Sequence, residues 1–136
     1  MNCLFCKIAA GEIPSEKIYE DDHVFAFLDI HPLSKGHTVV ITKVHAENII
    51  DLPEEEVGPV FSAMRKIADI VEKAVGAKGL TIGINHRVAA GQAIGHLHIH
   101  IIPRFDGDGG KSIHSILNNP PAESLADVRK MITNSY

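Results

Sequence analysis

By its apolar and polar positions, the chain divides into short alternating runs around one long helical stretch. Between residues 16 and 30, EKIYEDDHVFAFLDI predicts two short strands about a polar turn at Asp21-Asp22. Val24, Ala26 and Leu28 alternate with Phe25 and Phe27, which predicts a strand covered on both faces. HPLSKG reads as a loop set by Pro32, Ser34 and Gly36, and GHTVVITKVH resumes as a strand rich in β-branched residues. Over 54–75, Val57, Val60, Phe61, Met64, Ile67, Ala68, Val71, Ala74 and Val75 recur at helical spacing. Pro59 falls near the start of its regular part and Gly76 is a natural stop. TIGIN (81–85) and LHIHIIP (97–103) predict two more strands, separated by the small-residue loop RVAAGQAIG. After a Gly/Asp loop at 106–110, SLADVRKMITNSY predicts a terminal helix. The order predicts an α+β domain: an antiparallel sheet of about five strands, with one long helix and one or two short ones on one side.

Composition narrows what such a domain does. A chain of 136 residues with 45% hydrophobic content is the size of one domain, residues 1–136, and buries a core without disulfide staples. Its formal charge of −4 offers no general basic field, which argues against nucleic acid or an acidic membrane as partner. An anionic substrate must then be held by local donors. The opening MNCLFCKIAA lacks a secretory layout, and no apolar run reaches membrane-spanning length, so a soluble, cytoplasmic protein is expected. Both cysteines lie in one CxxC, Cys3 and Cys6, open to reading as a metal clip, a redox pair or two incidental buried thiols.

The chemistry concentrates in GHLHIHIIPR, where His96, His98 and His100 alternate with Leu97 and Ile99. Residues two apart on a strand share a face, so the histidines form a row while Leu97, Ile99 and Ile101 enter the core. Three readings of the row are open: a solvent-facing row, an all-histidine metal site, or a neutral imidazole nucleophile with donor neighbours. The preceding AAGQAIG lets backbone come close to a ligand and offers N–H groups to phosphate, which favours phosphate chemistry.

HLHIHII resembles the histidine triad signature, His-φ-His-φ-His-φ-φ with φ apolar. CKIAAGEIPSEKIYEDDHVFAFLDIHPLSKGHTVVITKVH and GINHRVAAGQAIGHLHIHIIPR are similar to the two halves of histidine triad nucleotide-binding proteins, covering about residues 3–104 and leaving 105–136 as a variable tail. The resemblance implies a homodimer of α+β subunits that binds a nucleotide, with purines usual, and cleaves at the α-phosphorus. It makes His98 the nucleophile of a covalent nucleotidyl-histidine intermediate, His100 the phosphate donor and His37 a member of their network. It assigns the ribose and base to Asp29 and Ile30, the base slot to Phe5, Ile8 and Phe27, and the phosphate end to Asn85, Gly91, Gln92 and Ala93. Where the phosphoramidate-cleaving branch has serine five residues before the nucleophile, this chain has Ala93, which removes a hydroxyl from the leaving-group side. The zinc-containing branch, with the galactose-1-phosphate uridylyltransferases, implies a structural zinc on Cys3, Cys6, His45 and His96. A low-turnover nucleotide-binding regulatory module is the alternative function. His23, His31, His86 and His114 receive no catalytic role, and Arg104 is placed either near a distal phosphate or at a solvated strand end.

Overall fold

In the computed structural model, which describes residues 2–136, the alternating runs form one antiparallel sheet. Its strands are β1 (Lys17–Glu20), β2 (Val24–Leu28), β3 (Thr38–Thr42), β4 (Gly79–Gly83) and β5 (His98–Arg104), ordered β1-β2-β3-β5-β4. Three helices accompany them: α1 (Leu4–Ala9), α2 (Glu54–Val75) and α3 (Leu125–Thr133). None of the helices is long and apolar enough to cross a membrane.

The periodicity over 54–75 becomes α2 with the same bounds. Val60, Ala63, Ile67, Ala68 and Val71 turn inward, and Glu54–Glu56 place negative charge against the helix N-terminus. Pro59 lies inside the helix, where it costs one backbone bond, rather than at its start. Gly76 closes it at φ 67°, a left-handed turn that glycine adopts without strain.

The sheet buries both faces, by strand alternation. Val24, Ala26, Val40, Ile99 and Ile101 pack under α2, while Phe25, Phe27, Val39 and Ile41 form a second cluster with Phe5 and Ile8 of α1. The helices therefore do not all lie on one side, as the order of elements suggested. Strands apolar on both faces need a second cover, and α1 supplies it. The strand expected at 81–85 also sits earlier, at Gly79–Gly83, because it is registered on β5 from Gly79↔Arg104 to Gly83↔His100. Beyond Gly83 the chain leaves the sheet. His98 thus pairs with β3 at Ile41 but has no β4 neighbour, which opens one side of its strand.

Candidate functional site

The face of β5 that turns from α2 carries the histidines, with Val39 opposite His100 and Ile41 opposite His98 on the neighbouring strand. It is not a solvated row. His96 is 0% and His98 8% exposed, and the Phe5 ring meets His98 edge-on at a centroid distance of 5.0 Å. Each imidazole is therefore held by specific partners, and those partners fix where its proton sits.

His98 Nδ1 lies 2.7 Å from the backbone oxygen of His96. A carbonyl only accepts, so Nδ1 carries the proton and Nε2 keeps its lone pair. A second chain runs from the loop before β3. The N–H of Leu33 donates to His37 Nδ1 at 3.1 Å, so His37 carries its proton on Nε2 and donates to His100 Nδ1 at 2.9 Å. That leaves the His100 proton on Nε2. Burial holds both His37 and His100 below the ordinary imidazole range, with His98 and His37 adding to the effect on His100. The neutral forms are the ones this chain requires. Asp29 Oδ2 stands 3.5 Å from His37 Nε2, and Oδ1 accepts the N–H of His31 at 2.8 Å, which turns the chain out of β2.

These groups line a cleft of about 560 Å³. Of the residues predicted for nucleotide, Phe5, Ile8, Phe27, Asp29, Ile30, Asn85, Gly91, Ala93 and His100 border it, together with His37 and His98. Its one end is apolar, its other end is bounded by Asn85 and the loop at 91–94, and no acceptor among the described residues takes the backbone N–H of Ala93 or Ile94. Gln92 is not in the lining. Its side chain points to the back of the loop and donates to Glu47 O at 2.6 Å. Ile13, Pro14, Ser15 and Leu33 also border the cleft, although nothing in their spacing marked them. The first three follow α1 and Leu33 lies between β2 and β3, in Pro-containing loops that carry no periodicity to read. Arg104 stays clear of the site, since Nε and Nη2 grip Asp108 at 2.8 and 3.0 Å. His23, just before β2, pairs with Glu56 of α2 at 2.8 Å, and His114 is exposed outside the cleft.

At the other end of the row, Cys3, Cys6, His45 and His96 bring four ligand atoms within 4.8 Å of one another. Cys3 Sγ lies 3.3 Å and Cys6 Sγ 3.5 Å from His96 Nδ1, and Cys6 Sγ lies 3.3 Å from His45 Nδ1. A tetrahedral ion with bonds of roughly 2.3 Å to sulfur and 2.0–2.1 Å to nitrogen separates those atoms by about 3.5 Å, so the donor set fits such an ion. His96 is also oriented for it: its Nε2–H donates to Thr42 O at 2.8 Å, which leaves the Nδ1 lone pair facing the sulfurs. Asp29, His37 and His100 also lie within the same span, but there the hydrogen bond between the imidazoles uses both facing nitrogens.

Residues 10–107 match the HIT domain family. The fold superposes on the crystal structure of a HIT family member from Bacillus subtilis with a TM-score of 0.86 at 39% identity, covering 99% of this chain and 95% of that one. A zinc-bound histidine triad family protein from Mycobacterium smegmatis is similar at a TM-score of 0.74 and 31% identity, over 100% and 99% of the two chains. In sequence, the adenylylsulfatase HINT3 of Arabidopsis thaliana is 42% identical over 107 residues, which is 79% of this chain and 54% of that longer protein.

Proposed function

This chain belongs to the HIT domain family, and on that premise we propose that it binds a nucleotide conjugate in the cleft and cleaves it at the α-phosphorus through His98. The observation that carries the reading is the 2.7 Å bond from His98 Nδ1–H to the His96 carbonyl. It selects the tautomer in which Nε2 keeps the lone pair that attacks phosphorus, and the carbonyl dipole steadies the positive charge that develops on the ring. Nε2 forms a bond to phosphorus as the bond to the leaving group breaks, and the leaving group departs with the electron pair. Water then displaces the nitrogen, releasing a nucleoside monophosphate and restoring the Nε2 lone pair. His100 Nε2–H, kept in place by the Leu33–His37 relay, donates to the phosphate oxygen as its charge grows; a donor of this kind is worth about 3–4 kcal/mol in the transition state. Asp29 and Ile30 take the ribose and base, Phe5, Ile8 and Phe27 the base slot, and Asn85, Gly91 and Ala93 the phosphate end.

The substrate class is a nucleotide joined through its α-phosphate to phosphate, nucleotide, sulfate or amine, a purine being the expected base. The similarity to an adenylylsulfatase supports the hydrolase reading. Ala93 favours leaving groups that depart as anions over amines, because no hydroxyl stands at that position to serve them. It is also what would favour the second reading, a nucleotide-binding module of low turnover. We further propose that Cys3, Cys6, His45 and His96 hold a structural zinc, in keeping with the zinc-bound relative, and that the working unit is a homodimer. The zinc would tie the N-terminal segment, which forms the base slot, to the catalytic strand.

Rapid quenching during turnover of adenylyl sulfate and diadenosine polyphosphates tests the covalent step. Intact-mass analysis is expected to show one added nucleoside monophosphate on the wild type and none on His98→Ala. Wild-type turnover in that variant sinks the mechanism; an inert wild type with tight nucleotide binding favours the module.

A further inference from the structure

The loop joining β4 to β5 forms one wall of the cleft, and little apolar packing supports it. Val88 is 85% exposed, and no residue from 85 to 93 is fully buried. Ala93 faces the cleft on one side and, on the other, a separate hollow of about 380 Å³ bounded by Glu47, Asp51 and Arg87. The wall is thin, with open space before and behind it. It also contains a conformation that its own sequence resists. Arg87 is the one non-glycine residue of positive φ among the described residues, at φ 72° and ψ 166°. That region is essentially reserved for glycine, because a Cβ there collides with the backbone.

Gln92 makes this shape stable. Its Oε1 accepts the N–H of Arg87 at 2.7 Å, and its Nε2 donates to Glu47 O at 2.6 Å and Ile94 O at 3.0 Å. Its backbone N–H donates to Arg87 O at 3.1 Å, which closes the loop on itself. We propose that Gln92 is a positioning residue for the phosphate wall. It clamps the strained Arg87 and anchors the loop to the segment after β3, so that the N–H groups of Ala93 and Ile94 are preset for a phosphate. It does this from the back of the loop, without touching the substrate. The inference rests on the reading of the cleft as a nucleotide site. An amide suits the task because one rigid plane presents an acceptor to Arg87 and donors to two carbonyls; a carboxylate in its place would face those carbonyls with an acceptor.

Calorimetric titration of AMP and adenosine separates the phosphate wall from the base slot. In Gln92→Ala, AMP affinity is expected to fall about 10-fold or more while adenosine affinity stays within about twofold, since the bonds to Arg87 and Glu47 lie at the phosphate end and Ile94 is held to the base-slot cluster by its own packing. Gln92→Glu is expected to behave the same way. Adding Arg87→Gly to Gln92→Ala is expected to recover at least about half of the lost affinity on a logarithmic scale, because glycine holds φ 72° unaided. Arg87→Gly alone is expected to raise the melting temperature, a readout independent of whether the Gln92 variants fold. Unchanged AMP affinity in Gln92→Ala overturns the proposal, as does equal loss of AMP and adenosine. Loss without rescue by glycine overturns it in favour of direct phosphate contact, and a lower melting temperature for Arg87→Gly removes the strain on which it depends. If the wild type binds neither ligand, the nucleotide reading itself fails. The clamp is then read by hydrogen exchange over residues 87–95, where faster exchange in Gln92→Ala supports it and unchanged exchange overturns it.

Discussion

On one face of the segment that forms β5, Leu97, Ile99 and Ile101 meet α2 and are held by close packing alone. On the other, His96 and His98 are buried and His100 half-buried, but each is held by a directed bond to a named acceptor or donor. The two faces share a backbone and differ in what a lost contact does. On the apolar face a missing methyl leaves a void, and the cost is stability. On the histidine face a missing partner changes which nitrogen carries a proton, and the cost is chemistry.

The sharpest break in this comparison is His98→Ala. Its turnover of nucleotide conjugates is expected to fall by roughly 10³-fold or more with the melting temperature little changed, as steady-state kinetics beside calorimetry will show. Next comes Ile99→Ala on the opposite face, expected to lose about 2–5 kcal/mol in denaturant unfolding while the folded fraction keeps its turnover. If instead Ile99→Ala abolishes activity in folded protein, the two faces are not separable. Removing metal by chelation tests the end of the row at His96. Tm is expected to fall by roughly 5 °C or more, about 1 kcal/mol for a domain of this size. The chemical step should change less than stability does. Elemental analysis giving clearly less than one zinc per chain, with full activity and unchanged Tm, counts against the site.

The smallest expected effect is in the pH dependence, and its sign differs between two groups of histidines. His37 and His100 are held by burial below the ordinary value of 6.5, so the unfolded chain takes up protons that the folded one refuses. Their contribution to stability is complete above 6.5 and is lost as pH falls from there toward their folded values. His23 is raised by its bond to Glu56, so its contribution is present below 6.5 and is lost as pH rises through its folded value. Urea unfolding from pH 8 to 5 is expected to show the acid-side loss diminished in His37→Gln and the alkaline-side loss diminished in His23→Gln. The opposite pairing would overturn the assignment of these partners.

Much of this is legible in the sequence. Nine apolar positions at helical spacing gave α2 its bounds, and the alternation in VFAFL foretold a strand buried on both faces. The residues that the family resemblance assigns to the nucleotide line one cleft, apart from Gln92, which lies on the loop beside it with its side chain turned away. The six residues of α1 escaped because they span less than two helical turns, too short for periodicity to register. The shift of β4 to Gly79–Gly83 escaped because strand register is set by the partner strand, not by the strand's own sequence.

What the sequence determined by itself was the shared face. Period two in HLHIH puts the three histidines together and commits Leu97 and Ile99 to the core, whatever the rest of the chain does. Their inequality was decided only in the tertiary structure. His96 meets Cys3 across 93 residues of sequence and His100 meets His37 across 63, while the carbonyl of His96 fixes the tautomer of His98. A strand's periodicity specifies a direction for each side chain, but an imidazole's chemistry depends on which atom waits at the end of that direction, and folding supplies that atom.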